Sequence, residues 1–95
     1  MVLEFAGEVF LWRGPSPYFF VTVPDEPSAA LESASPTVSY GWGCIPVRAH
    51  LGETTWRTSL FPKDDRYLVP LKVAVRKAEG VDLGDVVRIR LDVTL

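Results

Sequence analysis

The chain's one cysteine and one histidine lie six residues apart in "GWGCIPVRAHL", residues 41–51, with Arg48 between them. A thiol and an imidazole within hydrogen-bond reach make a nucleophile and its base, which needs a separation of about 2.6 to 3.2 Å. In an extended strand Cys44 and His50 share a face, because side chains alternate, but six residues at about 3.3 Å each hold them roughly 20 Å apart. Pro46 does not fold the strand back far enough to close that gap, so Cys44 is expected as a small packed hydrophobe and His50 as a strand-end surface residue. Catalysis by this pair is rejected.

The same stretch puts other chemistry on the page. Gly52-Glu53 suits a type II′ turn, with glycine at the first central position. The register that follows pairs Leu51 with Thr54, Ala49 with Trp56, Val47 with Thr58 and Ile45 with Leu60 on an apolar side. His50 then faces Thr55, Arg48 faces Arg57 and Pro46 faces Ser59 on the other. Two arginines directly opposed repel by several tenths of a kcal/mol unless something offsets them. Either Glu4, Glu8 or Asp92 on a neighbouring strand does so, or an external anion or acidic partner does. Arginine is the side chain best matched to carboxylate and phosphate. The candidate binding residues are Arg48, Arg57 and His50, with Lys72 and Arg76 of a second helix as neighbours. Asp64-Asp65 reads as a turn, not as a catalytic carboxylate pair. Glycine-rich phosphate loops, H-E-x-x-H, G-x-S-x-G and paired-cysteine spacings do not occur, and one Cys with one His is too few for a zinc site. No metal and no cofactor are expected.

The elements that must position these residues follow from periodicity. "LEFAGEVFLW" alternates Leu3, Phe5, Val9 and Leu11 against Glu4 and Glu8, and "YFFVTV" follows after "GPSP": two strands, read as a hairpin. "PDEPSAALESASP" has room for only a short helix of about two turns from Pro27 to Ala34, with a plain loop as the alternative. "CIPVRAHL" and "TTWRTSLF" form the Gly52 hairpin, "PKDD" turns, and "RYLVP" is a short strand. "LKVAVRKAEG" sets Leu71, Val75 and Ala78 on one helical face, with Gly80 at the left-handed C-terminal position. "VVRIRLDVTL" turns Val87, Ile89, Leu91 and Val93 inward and Arg88, Arg90, Asp92 and Thr94 outward. Six strands and two short helices result, in a mainly β single domain spanning 1–95. Strand, proline, helix, glycine, strand occurs twice, with slight residue identity between the halves, which reads either as an internal pseudo-duplication or as coincidence. Trp12, Trp42, Trp56, Tyr18, Tyr40 and Tyr67 could stack bases, but in a barrel this small most of them belong to the core.

At 95 residues, 47% hydrophobic and 23% charged, the chain suits one soluble core. Its net charge of -2 and pI near 5.3 set up no global attraction to nucleic acid or to an anionic membrane. The bases nevertheless crowd the second half: residues 1–47 sum to -4 and residues 48–95 to +2. No apolar run of 18 residues and no leader-like start occur, so a cytoplasmic protein without membrane association is expected.

"GWG-x-x-PVRA", "TTWRTSLFP" and "P-L-K-x-A-V-R-K-A-E-G-x-x-x-GD" together closely resemble the family known as domain of unknown function 1905. The resemblance is strong over residues 41–93 and looser over "EFAGEVFLW…YFFVTVP"; residues 25–39 depart from it, with Pro- and Ser-rich chain in place of the usual linking helix. It implies a small double-split β-barrel, related in fold to the AbrB and MazE swapped-hairpin proteins, which bind DNA as dimers. This chain would hold both half-barrels itself, as a monomer. The family has no assigned activity, so no catalytic residue carries over. The expected function is a non-enzymatic binding module for a small anion or a protein partner. The alternative is a nucleic-acid-binding regulator of AbrB type using Arg48, Arg57, Lys72, Arg76 and Lys77, which the acidic pI makes the weaker of the two.

Overall fold

A computed structural model describes residues 1–13, 18–38 and 43–94. The expected "GPSP" turn, and with it Tyr40, Gly41 and Trp42, lies outside the described residues. In chain order the elements are β1 Val2–Trp12, β2 Tyr18–Val23, α1 Asp25–Val38, β3 Ile45–Leu51, β4 Thr54–Lys63, β5 Arg66–Leu71, α2 Val73–Glu79 and β6 Val86–Asp92. The strands close into an antiparallel barrel in the order β1-β2-β5-β4-β3-β6. Six strands and two helices are thus found among the described residues, as the periodicity predicts.

Alternation builds the core. Ile45, Val47, Ala49 and Leu51 of β3 and Val87, Ile89 and Leu91 of β6 point inward and are buried, while Pro46, Arg48, Arg88 and Arg90 point out. Phe5, Val9, Val21, Val23, Trp56, Leu60, Val69 and Leu71 complete the lining. Each fully buried Val, Leu or Ile contributes about 1.5–3 kcal/mol relative to its exposed state. The Trp56 indole donates to the Pro70 carbonyl at 3.3 Å, which satisfies its one polar atom inside the barrel. Trp56 and Tyr67 are core residues, whereas Trp12 is 39% exposed with Lys63 over its ring.

The Gly52 hairpin has the expected register at all seven pairs, from Ile45↔Leu60 to Leu51↔Thr54. Gly52 has φ +58 and Glu53 does not have a positive φ, as a type II′ turn requires. The aspartates of "PKDD" turn the chain differently: Asp64 (φ 50) and Asp65 (φ 64) both lie in the left-handed region that a type I′ turn demands. Asp tolerates that region better than most residues.

Helix α1 corrects an expectation. It runs over 14 residues from Asp25, beyond the two turns from Pro27 to Ala34. Pro27 sits in the first turn, where the missing N–H would have no intrahelical partner anyway, and Pro36 falls in the last turns, so neither proline bounds the helix. Leu31 fully buried and Ser28 Oγ donating to the Val23 carbonyl at 2.9 Å fix the helix against the barrel. At α2, Gly80 takes φ 64 at the C-terminus as expected. Val75 is the buried residue of this helix; Leu71 belongs to β5, and Ala78 is exposed.

The two strand-helix-strand units are related by topology. Exchanging β1-β2-α1-β3 with β4-β5-α2-β6 returns the same ring of neighbours. The register follows suit. The pairs Phe10↔Phe20, Leu11↔Phe19 and Trp12↔Tyr18 map onto Phe61↔Leu68, Pro62↔Tyr67 and Lys63↔Arg66. Likewise Leu3↔Leu91 and Phe5↔Ile89 map onto Thr54↔Leu51 and Trp56↔Ala49. Under this mapping Val21↔Val69 and His50↔Arg90 are exchanged with themselves, so they mark a pseudo-twofold axis through the barrel. The long strands β1 and β4 each divide their pairing: β1 between β6 and β2, β4 between β3 and β5.

Candidate functional site

The outer face of β4, β3 and β6 carries the candidate residues. Because β6 lies beside β3, Arg48 is opposite Arg57 on one side and Asp92 on the other. His50, one alternation further along, lies between Thr55 and Arg90. Two adjoining rows therefore run across three strands: Arg57, Arg48, Asp92 and Thr55, His50, Arg90. A cleft of about 360 Å³ opens at the first row and is lined by Pro46, Val47, Arg48, Arg57, Thr58, Asp92 and Thr94.

Hydrogen-bonding capacity orients the second row. His50 Nε2 is 2.8 Å from Asp92 Oδ2, and an ionised carboxylate only accepts, so Nε2 carries the proton and donates. Nδ1 lies 3.0 Å from the Thr55 hydroxyl, which can donate to a bare Nδ1 or accept from an Nδ1–H. Arg90 Nη2, 3.2 Å from the same Nε2, faces a nitrogen with no free lone pair; we treat it as a close contact and not as a hydrogen bond. The Arg90 guanidinium instead neutralises Asp92, with Nε 3.4 Å from Oδ1, an oxygen that has no hydrogen-bond partner among the described residues. The hydrogen bond from His50, then the charges of Arg90, His50 and Arg48, hold the Asp92 carboxyl below its ordinary pKa against a partial desolvation.

The dyad of Cys44 and His50 is excluded by these contacts: Cys44 is buried and both ring nitrogens of His50 are engaged elsewhere. His50 itself departs from the expectation of a plain surface residue, since its side chain is only 21% exposed and networked. Thr55, His50 and Asp92 have the connectivity of a hydroxyl-imidazole-carboxylate relay. Thr55, however, is exposed and does not line the cleft. The relay's effect is positional: it fixes Asp92.

Asp92 offsets one of the opposed arginines in part, as the sequence allows: the Arg48 charge is among the causes that lower its pKa. Its ion pairs are with His50 and Arg90, and among the described residues neither Arg48 nor Arg57 forms an ion pair with a carboxylate. Glu4 and Glu8 face Arg90 and Val86 on β1's side of the sheet, away from Arg57. The second-helix candidates are placed apart from the cleft. Arg76 lies over the Phe19 ring of β2 at 3.6 Å with its Nε buried and unpaired, and Lys72 is the N-terminal cap position of α2. Neither lines the cleft. Thr55, Arg90 and Asp92, by contrast, join the network without having been named as site residues. The outward alternation of β6 was the available signal, but its place beside β3 depends on a pairing distant in sequence. Among the described residues no group of three His, Cys, Asp or Glu is placed to hold a metal, and no helix is long and apolar enough to cross a membrane.

A search of curated proteins returns no match. The motifs of the Gly52 hairpin, the "PKDD" turn and the α2-β6 unit all fall inside the segment that a family model does match, residues 5–91, and the chain accordingly belongs to the family described as Domain of unknown function (DUF1905).

Proposed function

We propose that this domain is a non-enzymatic binding module whose ligand is a small anion held at the Arg48/Arg57 cleft. The observation that carries the reading is the directly opposed Arg48 and Arg57, neither in an ion pair among the described residues, beside a carboxylate whose ion pairs are with His50 and Arg90. Two guanidinium groups on neighbouring strands offer donors in a fixed fork geometry suited to a tetrahedral or planar oxyanion. An anion there also removes their mutual repulsion, so binding and local stability reinforce each other. The cleft volume falls within the range of small-molecule sites, about 300–1,000 Å³. Calorimetric titration of inorganic phosphate and citrate into the wild type and into a variant with Arg48→Gln and Arg57→Gln tests this. Binding by the wild type, lost in the variant at unchanged melting temperature, is the expected result. No binding of either anion overturns it and leaves a protein partner as the occupant of this face.

A second reading is nucleic-acid binding of AbrB type. It draws support from Arg88 and Arg90, which share the outer face with Arg48 and Arg57, and from the pseudo-twofold relation of the half-barrels. The acidic net charge and the carboxylates of Glu4 and Asp92 on the same face weigh against it. Duplex DNA titrated at two salt concentrations separates the readings. A polyanion loses affinity steeply with salt in proportion to the phosphates contacted, whereas a single small anion loses modestly.

A further inference from the structure

We propose that the Arg48/Arg57 cleft selects protonated phosphates, oxyanions that carry their own hydroxyl, over oxyanions that can only accept hydrogen bonds. The inference rests on the anion reading above and names the ligand class of that site.

The wall of the cleft is not uniformly basic. Asp92 lines it together with Arg48 and Arg57, and Asp92 is the register partner of Arg48. An anion drawn between the arginines therefore meets a carboxylate. That carboxylate stays ionised, because His50 donates to it at 2.8 Å and Arg90 stands 3.4 Å from its second oxygen. An ionised carboxylate accepts and never donates. A sulfate or carboxylate ligand, likewise acceptor-only at neutral pH, would set lone pair against lone pair at Asp92. Hydrogen phosphate has the same charge and the same tetrahedral shape as sulfate but keeps one O–H, which it can donate to Asp92 while its other oxygens accept from the guanidinium groups.

The remaining wall fits the same ligand. Thr94, exposed just past β6, lines the cleft, and its hydroxyl can donate to a further phosphate oxygen or accept from the ligand. Pro46 supplies apolar surface, and the volume of about 360 Å³ leaves room for an organic group esterified to the phosphate. A zwitterion with its ammonium on Asp92 fits less well: that ammonium would stand beside Arg90 and Arg48, two like charges already close to the same carboxylate.

The test compares inorganic phosphate with sulfate at pH 7 and matched ionic strength, by calorimetry on the wild-type protein and on Asp92→Asn. The asparagine amide can donate where the carboxylate could only accept. We expect the wild type to bind phosphate at least about tenfold more tightly than sulfate. In Asp92→Asn the ratio should fall towards one, mainly through a gain in sulfate affinity. Equal binding of the two anions by the wild type overturns the selectivity while leaving the anion site intact, and binding of neither overturns the site itself. A preference for phosphate that Asp92→Asn leaves unchanged overturns the role of Asp92. The wild-type ratio needs no variant, so the proposal stays testable should the substitution disturb the fold. A further arm at pH 6, where about half of a phosphomonoester carries its second proton, sets glycerol phosphate against inorganic phosphate. Tighter binding of the ester supports an organic phosphate as ligand, and tighter binding of the free ion supports inorganic phosphate.

Discussion

His50 and Arg90 are register partners on β3 and β6 and exchange places under the pseudo-twofold that relates the two halves of the barrel. Symmetry has been broken at this pair, and the break creates the site. One residue donates to Asp92 and the other neutralises it, so a carboxylate at the end of β6 is held ionised on the outer wall. Without that arrangement Asp92 would be free to close an ion pair with Arg48, its other neighbour, whose charge it now offsets only in part.

The lowered Asp92 pKa makes an acid-sensitivity prediction with a definite sign. A carboxyl whose folded-state pKa is depressed stabilises the fold fully above its unfolded value, about 3.9, and the contribution is lost as pH falls through the folded value. Asp92→Asn removes the titrating group. The melting temperature of the wild type should therefore fall more steeply than that of Asp92→Asn below about pH 4, with the two curves parallel at pH 5–8. Parallel curves over the whole range would show that Asp92 is not held by its neighbours.

Relief of like-charge repulsion is measurable without any ligand. Arg57→Gln removes one member of the Arg48↔Arg57 pair at an exposed position with no ion pair among the described residues. Urea unfolding should show a change between zero and about 0.5 kcal/mol in the stabilising direction. A loss above 1 kcal/mol would mean that Arg57 has a stabilising partner in solution.

Cys44→Ala separates packing from chemistry. The thiol is buried at the start of β3, and His50 is engaged with Asp92 and Thr55. Stability should drop by about 1 kcal/mol for the lost buried sulfur, while anion affinity stays unchanged. Any loss of binding at retained fold would reinstate a functional thiol.

What was legible in the sequence divides by distance along the chain. The Gly52 hairpin was readable to the residue because turn chemistry and period-2 alternation act within a few positions, and Arg48 opposite Arg57 followed directly. Inward and outward residues of β6 were equally clear, from Val87 to Thr94. The neighbour relation of β3 and β6 was not, since nothing local in "IPVRAHL" or "VVRIRLD" specifies the partner; it is fixed by closing the barrel. For that reason Arg90 and Asp92 were missed as partners of His50, and Lys72 and Arg76 were grouped with arginines that they do not join. Helix α1 was underestimated because prolines were read as boundaries, although the first turn has no need of Pro27's missing N–H.

The pseudo-twofold yields the strongest prediction about the fold. Cutting the chain in the exposed Gly52-Glu53 turn separates β1-β2-α1-β3 from β4-β5-α2-β6. Each fragment keeps only one of the six strand pairings, β1·β2 or β4·β5, and the other four, β1·β6, β2·β5, β3·β4 and β3·β6, all run between fragments. An isolated two-stranded hairpin is marginal in water, so fragments 1–52 and 53–95 should each be unfolded alone. Mixed in equal amounts they should recover the β-type circular dichroism spectrum, in a concentration-dependent manner, because the covalent link they lack is a surface turn and not part of the core. Folding of either fragment on its own would show that the barrel is assembled from an autonomous half, and failure of the mixture to refold would show that the Gly52 hairpin must form first within one chain.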